Sequence, residues 1–203
     1  MKLTPLSKQF IRNSPNTYMN RLIDNPNCSF LGSKADQPFT AFYVWEKFFI
    51  RYGEKLKRFI EFGCDQGSAS CYFLLQCIQN EVEYIGYDKR KKITYHNTHI
   101  KRLLRLRRHI RLGDGYKKAD EIKELVQEKG MSIIFTDCID KPWEFTTFAP
   151  MLKRGDVLAM HDWDRAIKDE WVVDEMEALE PYTLLFECER VGLNTLTRFF
   201  MKE

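Results

Sequence analysis

The sequence predicts an α/β domain: a seven-stranded, mostly parallel sheet with an antiparallel last strand and helices on both faces. Three observations predict it. From Arg58 onward, short apolar runs alternate with stretches of helical length, the pattern of a parallel sheet covered on both sides. The last two apolar runs have only a short turn between them, so the final strand runs back against its neighbour. A glycine-bearing turn, Gly63 to Gly67, stands between the first run and the first helix. With 203 residues, 44% hydrophobic and 30% charged, the chain suits one globular domain.

In order, residues 1–52 read as an N-terminal helical extension and substrate lid, and residues 53–203 as the core of the same domain. The extension carries turn clusters at Asn13–Asn16 and Asn25–Asn27, then an aromatic-rich helix from Phe39 to Tyr52. Strands are expected at Arg58–Phe62, Val82–Tyr87, His109–Leu112, Met131–Thr136, Asp156–Met160, Tyr182–Glu189 and Thr195–Met201. Helices are expected at Ser68–Gln79, Thr94–Arg107, Lys118–Glu128, Trp143–Leu152 and Lys168–Leu179, with a turn at Val191–Asn194 joining the last two strands.

The net charge of +3 argues for no polyanionic partner by itself. No apolar run approaches the roughly 18–20 residues that span a bilayer, and Met1–Asn13 lacks the apolar segment of a secretion signal. A cytoplasmic chain with no membrane partner is expected; a homo-oligomer is compatible with it. The six cysteines (Cys28, Cys64, Cys71, Cys77, Cys138 and Cys188) form no CxxC pair and read as reduced and mostly buried.

Three segments sit where strands end. Glu61-Phe62-Gly63-Cys64-Asp65-Gln66-Gly67-Ser68 follows a strand and opens a helix, where glycines let the backbone approach a ligand and the helix start offers free N–H groups. An ordinary tight turn has the same local residues. Asp88 lies 21 residues beyond Gly67, the spacing at which an acidic side chain takes ribose hydroxyls in dinucleotide folds. Asp114 stands between Gly113 and Gly115 at the third strand end, where it could lie beside a base or simply make a turn. Open α/β sheets place ligands at such strand ends.

This combination resembles the class I S-adenosylmethionine-dependent methyltransferases, whose Rossmann-like fold also has an antiparallel last strand. The resemblance implies that Glu61, Gly63, Gly67 and Ser68 serve the methionine part, Asp88 the ribose and Asp114 the adenine, with Asp137 completing the cofactor site. It implies a core at 53–203 that binds S-adenosylmethionine. Many members have a glycine where this chain has Asp65.

Further along, Phe135-Thr136-Asp137 and Met160-His161-Asp162 end two strands expected to be neighbours. Parallel strands lie about 4.8 Å apart, so these side chains can converge. Carboxylates suit Mg2+, and a histidine suits manganese, iron or zinc better. Asp137, His161 and Asp162 are therefore the candidate metal ligands; the alternative is that His161 and Asp162 bind substrate or cap a helix without metal. The stretch resembles the metal-dependent O-methyltransferases, both the catechol group and the cephalosporin hydroxylase and rhamnosyl O-methyltransferase group. The acidic pair of that pattern is His161-Asp162 here. The catechol enzyme's lysine base, three residues after its first aspartate, is replaced by Asp140. Phe30-Leu31-Gly32-Ser33, Asp36-Gln37 and Trp45-Glu46 are similar to the cephalosporin hydroxylase group.

The expected activity is methyl transfer to a hydroxyl of a small molecule or sugar, with a divalent metal as an optional partner. The candidate bases are His161 and Asp140, with His161 preferred for its near-neutral titration. Two alternatives remain open. Ten of the 32 Lys/Arg fall between Lys89 and Arg111, where no Asp or Glu occurs, and such a face suits RNA, hence an RNA ribose methyltransferase. On a helix there, Ile100, Leu103, Leu104 and Leu106 would pack inward, and the basic residues would merely be solvated. His96 and His99 share a helix face without a third ligand. The other alternative is a non-catalytic binder of S-adenosylmethionine.

Overall fold

The computed structural model describes residues 29–30, 33–34, 39–89, 102 and 104–203. A small antiparallel pair, β1 (Ser29–Phe30) and β2 (Ser33–Lys34), precedes α1 (Phe39–Tyr52). The chain continues through β3 (Leu56–Phe62), α2 (Ser68–Gln79), β4 (Glu83–Asp88), β5 (Ile110–Leu112), α3 (Ala119–Gln127), β6 (Met131–Thr136), α4 (Lys141–Phe148) and β7 (Val157–Met160). It ends with α5 (Val173–Leu179), β8 (Tyr182–Leu185), α6 (Glu187–Gly192) and β9 (Arg198–Lys202).

Seven strands form one sheet in the order β5-β4-β3-β6-β7-β9-β8. The five strands from β5 to β7 are parallel, and β9 runs antiparallel to both β7 and β8. From β3 the chain winds outward to β4 and β5, then crosses back to β6 on the other side of β3. That reversal leaves a crevice at the carboxyl ends of β3 and β6, the place where such sheets bind ligands.

Each face of the sheet carries its own apolar layer. The central strands are buried on both sides: β7 is a continuous apolar run, and β3 and β6 send apolar residues to both faces. On one face α1 and α2 cover Phe59, Ile133, Phe135, Val157 and Phe199. On the other, α3 and α4 cover Ile60, Phe62, Ile134, Leu158 and Phe200. Trp45 of α1 is fully buried, with Phe48, Phe59, Phe73, Phe135 and Phe199 around it at centroid distances of 4.7–5.9 Å. Mostly edge-to-face, these contacts match the preferred geometry of aromatic quadrupoles. Helix α1 thus belongs to the core, although the sequence placed it in an extension ending at residue 52. Its buried residues, Ala41, Phe42, Val44, Trp45, Phe48, Phe49 and Tyr52, recur at helical spacing on the face toward the sheet.

The strands that matter most for the site, β6 and β7, pair from Ile133↔Val157 to Thr136↔Met160. Buried Asp156 pins their other end, accepting Ser132 N at 2.7 Å and Lys153 Nζ at 2.9 Å. The next residues, Asp137 and His161, therefore emerge side by side.

Helices α1 and α2 and strand β6 have the predicted bounds. Others differ. Helix α4 starts at Lys141 rather than Trp143, because Asp140 accepts the Trp143 N–H and Pro142 suits a first turn. The segment expected as strand through Glu189 ends at Leu185; Phe186 takes a left-handed φ of 57° and α6 follows. The stretch 168–179 divides into a 3-10 turn at Asp169–Trp171 and α5. The predicted Thr94–Arg107 helix falls largely outside the described residues, as do His96, His99, Ile100, Leu103 and the turn clusters before Asn27. At its described end Arg105 has φ 51° and a 3-10 turn, Leu106–Arg108, follows, so no helix reaches Arg107. Among the described cysteines, Cys64, Cys71 and Cys77 are buried, whereas Cys188 is exposed on α6. No helix among the described residues is long and apolar enough to cross a membrane.

Replacing Trp45 by Ala should cost about 3–5 kcal/mol, read as a lowered urea midpoint at unchanged slope. A loss under about 1 kcal/mol, the size of a surface change, would mean that α1 is not part of the core.

Candidate active site

The crevice opens into a cavity of about 770 Å³, within the range of small-molecule and cofactor sites. Its wall is built from four strand ends in sheet order: Asp114 after β5, Asp88 and Lys89 at β4, Gly63 and Asp65 after β3, and Asp137 to Asp140 after β6. Tyr116 and Trp143 close one side with rings 4.6 Å apart, edge to face.

The glycine turn is held from both sides. Gly63 has φ 100°, and a Cβ there would stand 2.6 Å from the Asp137 carbonyl oxygen. Only glycine lets the β3 and β6 loops meet this closely. Gly63 N–H donates to Tyr87 O at 2.9 Å, and Asp137 N–H to Phe62 O at 2.8 Å. From β4, the buried Asp88 carboxylate accepts the Cys64 N–H at 2.8 Å and the Asp65 N–H at 2.6 Å. Asp88 is therefore both a wall of the cavity and the clamp of the turn. Asp65 has φ 40°. The position requires the left-handed region, which aspartate tolerates better than most residues and glycine best, so the departure from a third glycine keeps the loop's shape.

Gly67, at φ 76°, caps α2. Ser68 begins that helix, buried, with its Oγ lacking a hydrogen-bond partner. Asp114 borders the cavity, and its Oδ1 is buried without a hydrogen-bond partner. Glu61 lies elsewhere than expected. Its side chain points to the α2 face of the sheet, beneath the turn, where it accepts the Tyr84 hydroxyl; it does not border the cavity. The strand's alternation explains this: Phe62 takes the other face and Glu61 follows Phe59. Burial pushes the Glu61 carboxyl up to about 8, with Tyr84 opposing.

Beside the cavity, which Asp137 lines, Asp137, His161 and Asp162 offer ligand atoms all within 4.8 Å of one another. His161 Nδ1 is 3.0 Å from Asp137 Oδ1 and 3.4 Å from Asp162 Oδ1, but off the hydrogen-bond line, and neither ring nitrogen has a hydrogen-bond partner. Asp162, at φ 60°, turns the chain back so that its carboxylate faces the imidazole. Burial pushes the His161 pKa down, but Asp137 and then Asp162 outweigh it and hold it up at about 9. Burial likewise works against the Asp137 carboxylate, but His161 and Lys141 bring it to about 2. The group is thus an imidazolium held between carboxylates. Three buried atoms without a hydrogen-bond partner, both ring nitrogens of His161 and Asp162 Oδ1, belong to a set of two carboxylates and one imidazole that fits a divalent transition metal.

Asp140, the other predicted base, borders the cavity but uses its carboxylate to cap α4. The sequence reading missed Lys141. It is fully buried, with Nζ 3.4 Å from Asp137 Oδ1 and 3.8 Å from Glu144 Oε2. Its signal was the helix start at Asp140-Lys141-Pro142, which turns residue 141 back under Asp137 at i+4.

By sequence, the chain matches no protein-family model and no curated protein. By structure it is similar to CmcI with Mg and SAM, at 12% identity and TM-score 0.60, covering 86% of this chain and 76% of that one. It is also similar to the O-methyltransferase from Bacillus cereus in complex with SAH, at 13% identity and TM-score 0.52, covering 97% and 96%. TomG from Streptomyces achromogenes, an O-methyltransferase involved in tomaymycin synthesis, matches at 13% identity and TM-score 0.50, covering 96% and 93%. The fold is that of the S-adenosylmethionine-dependent methyltransferases.

Glu61 provides a check on this geometry. Its folded pKa is raised from the ordinary 4.5 to about 8, so the folded chain holds a proton that the unfolded chain gives up. The stability this contributes is complete below pH 4.5 and is lost as pH rises through about 8, on the order of a few kcal/mol. In urea unfolding at pH 5.5 and pH 8.5, Glu61→Gln should fall less with pH than the wild type. Equal slopes would place Glu61 in water rather than beneath the turn.

Proposed function

We propose that the chain is an S-adenosylmethionine-dependent O-methyltransferase acting on a hydroxyl of a small molecule or sugar, with a divalent cation at Asp137, His161 and Asp162. One observation carries this reading: Asp137 belongs at once to the wall of the cavity and to the ligand cluster. A methyl donor in the first and a hydroxyl held at the second would meet at the end of β6. Bound there, S-adenosylmethionine supplies an electrophilic methyl group, and a divalent cation lowers the pKa of a coordinated hydroxyl.

The chain's own residues do the rest. Asp88 and Asp114 provide acceptors for ribose hydroxyls and the adenine edge, and the Tyr116–Trp143 pair offers an aromatic wall. Gly63 lets the β3 loop come close to the donor's amino-acid part. Asp137, His161 and Asp162 orient the acceptor, and alignment of the two reactants is the larger part of catalysis in such displacements. His161 remains the preferred base over Asp140, which is committed to its helix. Its roles as base and as cation ligand are alternatives, because a neutral imidazole has a single lone pair to give to a proton or to a cation; with a cation bound, the acidified hydroxyl would need no base as strong. The supports for the small acceptor are a cavity of about 770 Å³ and the likeness to O-methyltransferases.

Among the described residues of the basic segment, Arg105, Arg107 and Arg108 are exposed just before the edge strand β5. Exposed cations on an edge of the sheet suit an extended polyanion such as RNA, the second reading. That second reading predicts acceptor binding that weakens steeply with salt.

Calorimetry with S-adenosylmethionine, followed by an assay of S-adenosylhomocysteine release across hydroxyl acceptors, tests the proposal. Asp88→Ala should weaken cofactor binding at least tenfold, about the worth of one charge-assisted hydrogen bond. Asp137→Ala and His161→Ala should each lower turnover by 10²-fold or more, the usual range for acid–base groups, while cofactor binding largely persists. Cofactor binding with no turnover on any acceptor would mark a non-catalytic binder, and unchanged turnover in both variants would remove the cluster from the mechanism.

A further inference from the structure

We infer that Lys141 is the residue that positions Asp137 for the cluster, as a buried internal cation rather than as a base. The inference rests on the reading of Asp137, His161 and Asp162 as a cation site. Lys141 is 1% exposed and lies outside the cavity wall, so it reaches neither donor nor acceptor. Its ammonium is enclosed by three acceptors on the protein side: Thr136 O at 3.5 Å, Asp137 Oδ1 at 3.4 Å and Glu144 Oε2 at 3.8 Å.

A buried ammonium is costly unless it is paired and hydrogen-bonded, and this pairing is specific. Glu144 is itself fully buried. Its Oε2 has no hydrogen-bond partner, and its Oε1 receives the Tyr116 hydroxyl at 3.4 Å. Lys141 and Glu144 thus form a nearly self-neutral pair beneath the cluster. The charges left to attract a divalent cation are those of Asp137 and Asp162. The arrangement depends on the turn of helix at Asp140: a lysine three residues after Asp137 would stand at the Asp140 position on the cavity wall, whereas one four residues after it faces inward.

Outer partners of ligating carboxylates typically contribute 10–100-fold to metal affinity. Mn2+ alone is the probe, with the free ion followed by electron paramagnetic resonance in the wild type, Lys141→Met and Lys141→Arg. Lys141→Met should raise the Mn2+ dissociation constant about 10–100-fold, and Lys141→Arg should recover much of it. S-adenosylhomocysteine affinity should change far less. In metal-free crystal structures, the 3.0 Å approach of Asp137 to His161 should be present in the wild type and lost in Lys141→Met. If removing one partner of the pair prevents folding, Lys141→Met combined with Glu144→Leu removes both, which buried pairs tolerate better. Either an unchanged Mn2+ affinity or an Asp137 that keeps its place in the folded variant overturns the inference. A wild type that binds no Mn2+ removes the cation reading instead, and the two crystal structures then decide the positioning role by themselves.

Discussion

The contact between Gly63 and the Asp137 carbonyl is the constraint on which the rest of the site depends. It exists because the chain reverses its winding direction between β3 and β6, so two loops leave adjacent parallel strands and must diverge. Where they part, a Cβ on residue 63 would stand 2.6 Å from Asp137 O. The glycine lets the backbones touch, and the Asp137 N–H to Phe62 O bond, 2.8 Å long, fixes their relative height. One loop then floors the cavity, and the other carries its aspartate to the cluster.

Charge is distributed along the same line. Carboxylates ring the cavity, but each is committed differently. Asp88 clamps the turn through two backbone N–H groups. Asp140 caps a helix. Asp137 lies between two cationic groups, His161 and Lys141, and its acidity is correspondingly strong. Glu61 and Glu144, buried away from the cavity, are pushed the other way, to about 8 and about 7, because burial outweighs their partners. The cations beside Asp137 thus favour its ionised form, whereas burial works against ionisation of Glu61 and Glu144.

The fold was legible where pattern and flanks agreed. Helix α2 is framed by Gly67 before Ser68 and by Asn80 after Gln79, and β6 is a mostly apolar run between Gly130 and Asp137, so their bounds follow from the residues. The convergence of Asp137 with His161-Asp162 was legible too, because neighbouring parallel strands carry their next residues to the same edge. Three features were not. The face taken by Glu61 depends on strand alternation relative to the whole sheet, and a motif does not reveal it. The inward course of Lys141 depends on where α4 begins, which the sequence reading placed two residues late. The helix at Glu187–Gly192 replaces an expected strand because Phe186 adopts a left-handed conformation, and nothing in that residue type announces it.

The central claim is that one crevice presents a methyl donor to a hydroxyl held at the Asp137 cluster. Its most direct test is a crystal structure with S-adenosylhomocysteine and Mn2+, recorded with anomalous scattering. The account predicts the nucleoside between Asp88, Asp114 and the Tyr116–Trp143 wall, the thioether beside Gly63, and one anomalous peak bounded by Asp137, His161 and Asp162. A ligand seated elsewhere, or a peak that avoids those three side chains, would contradict it.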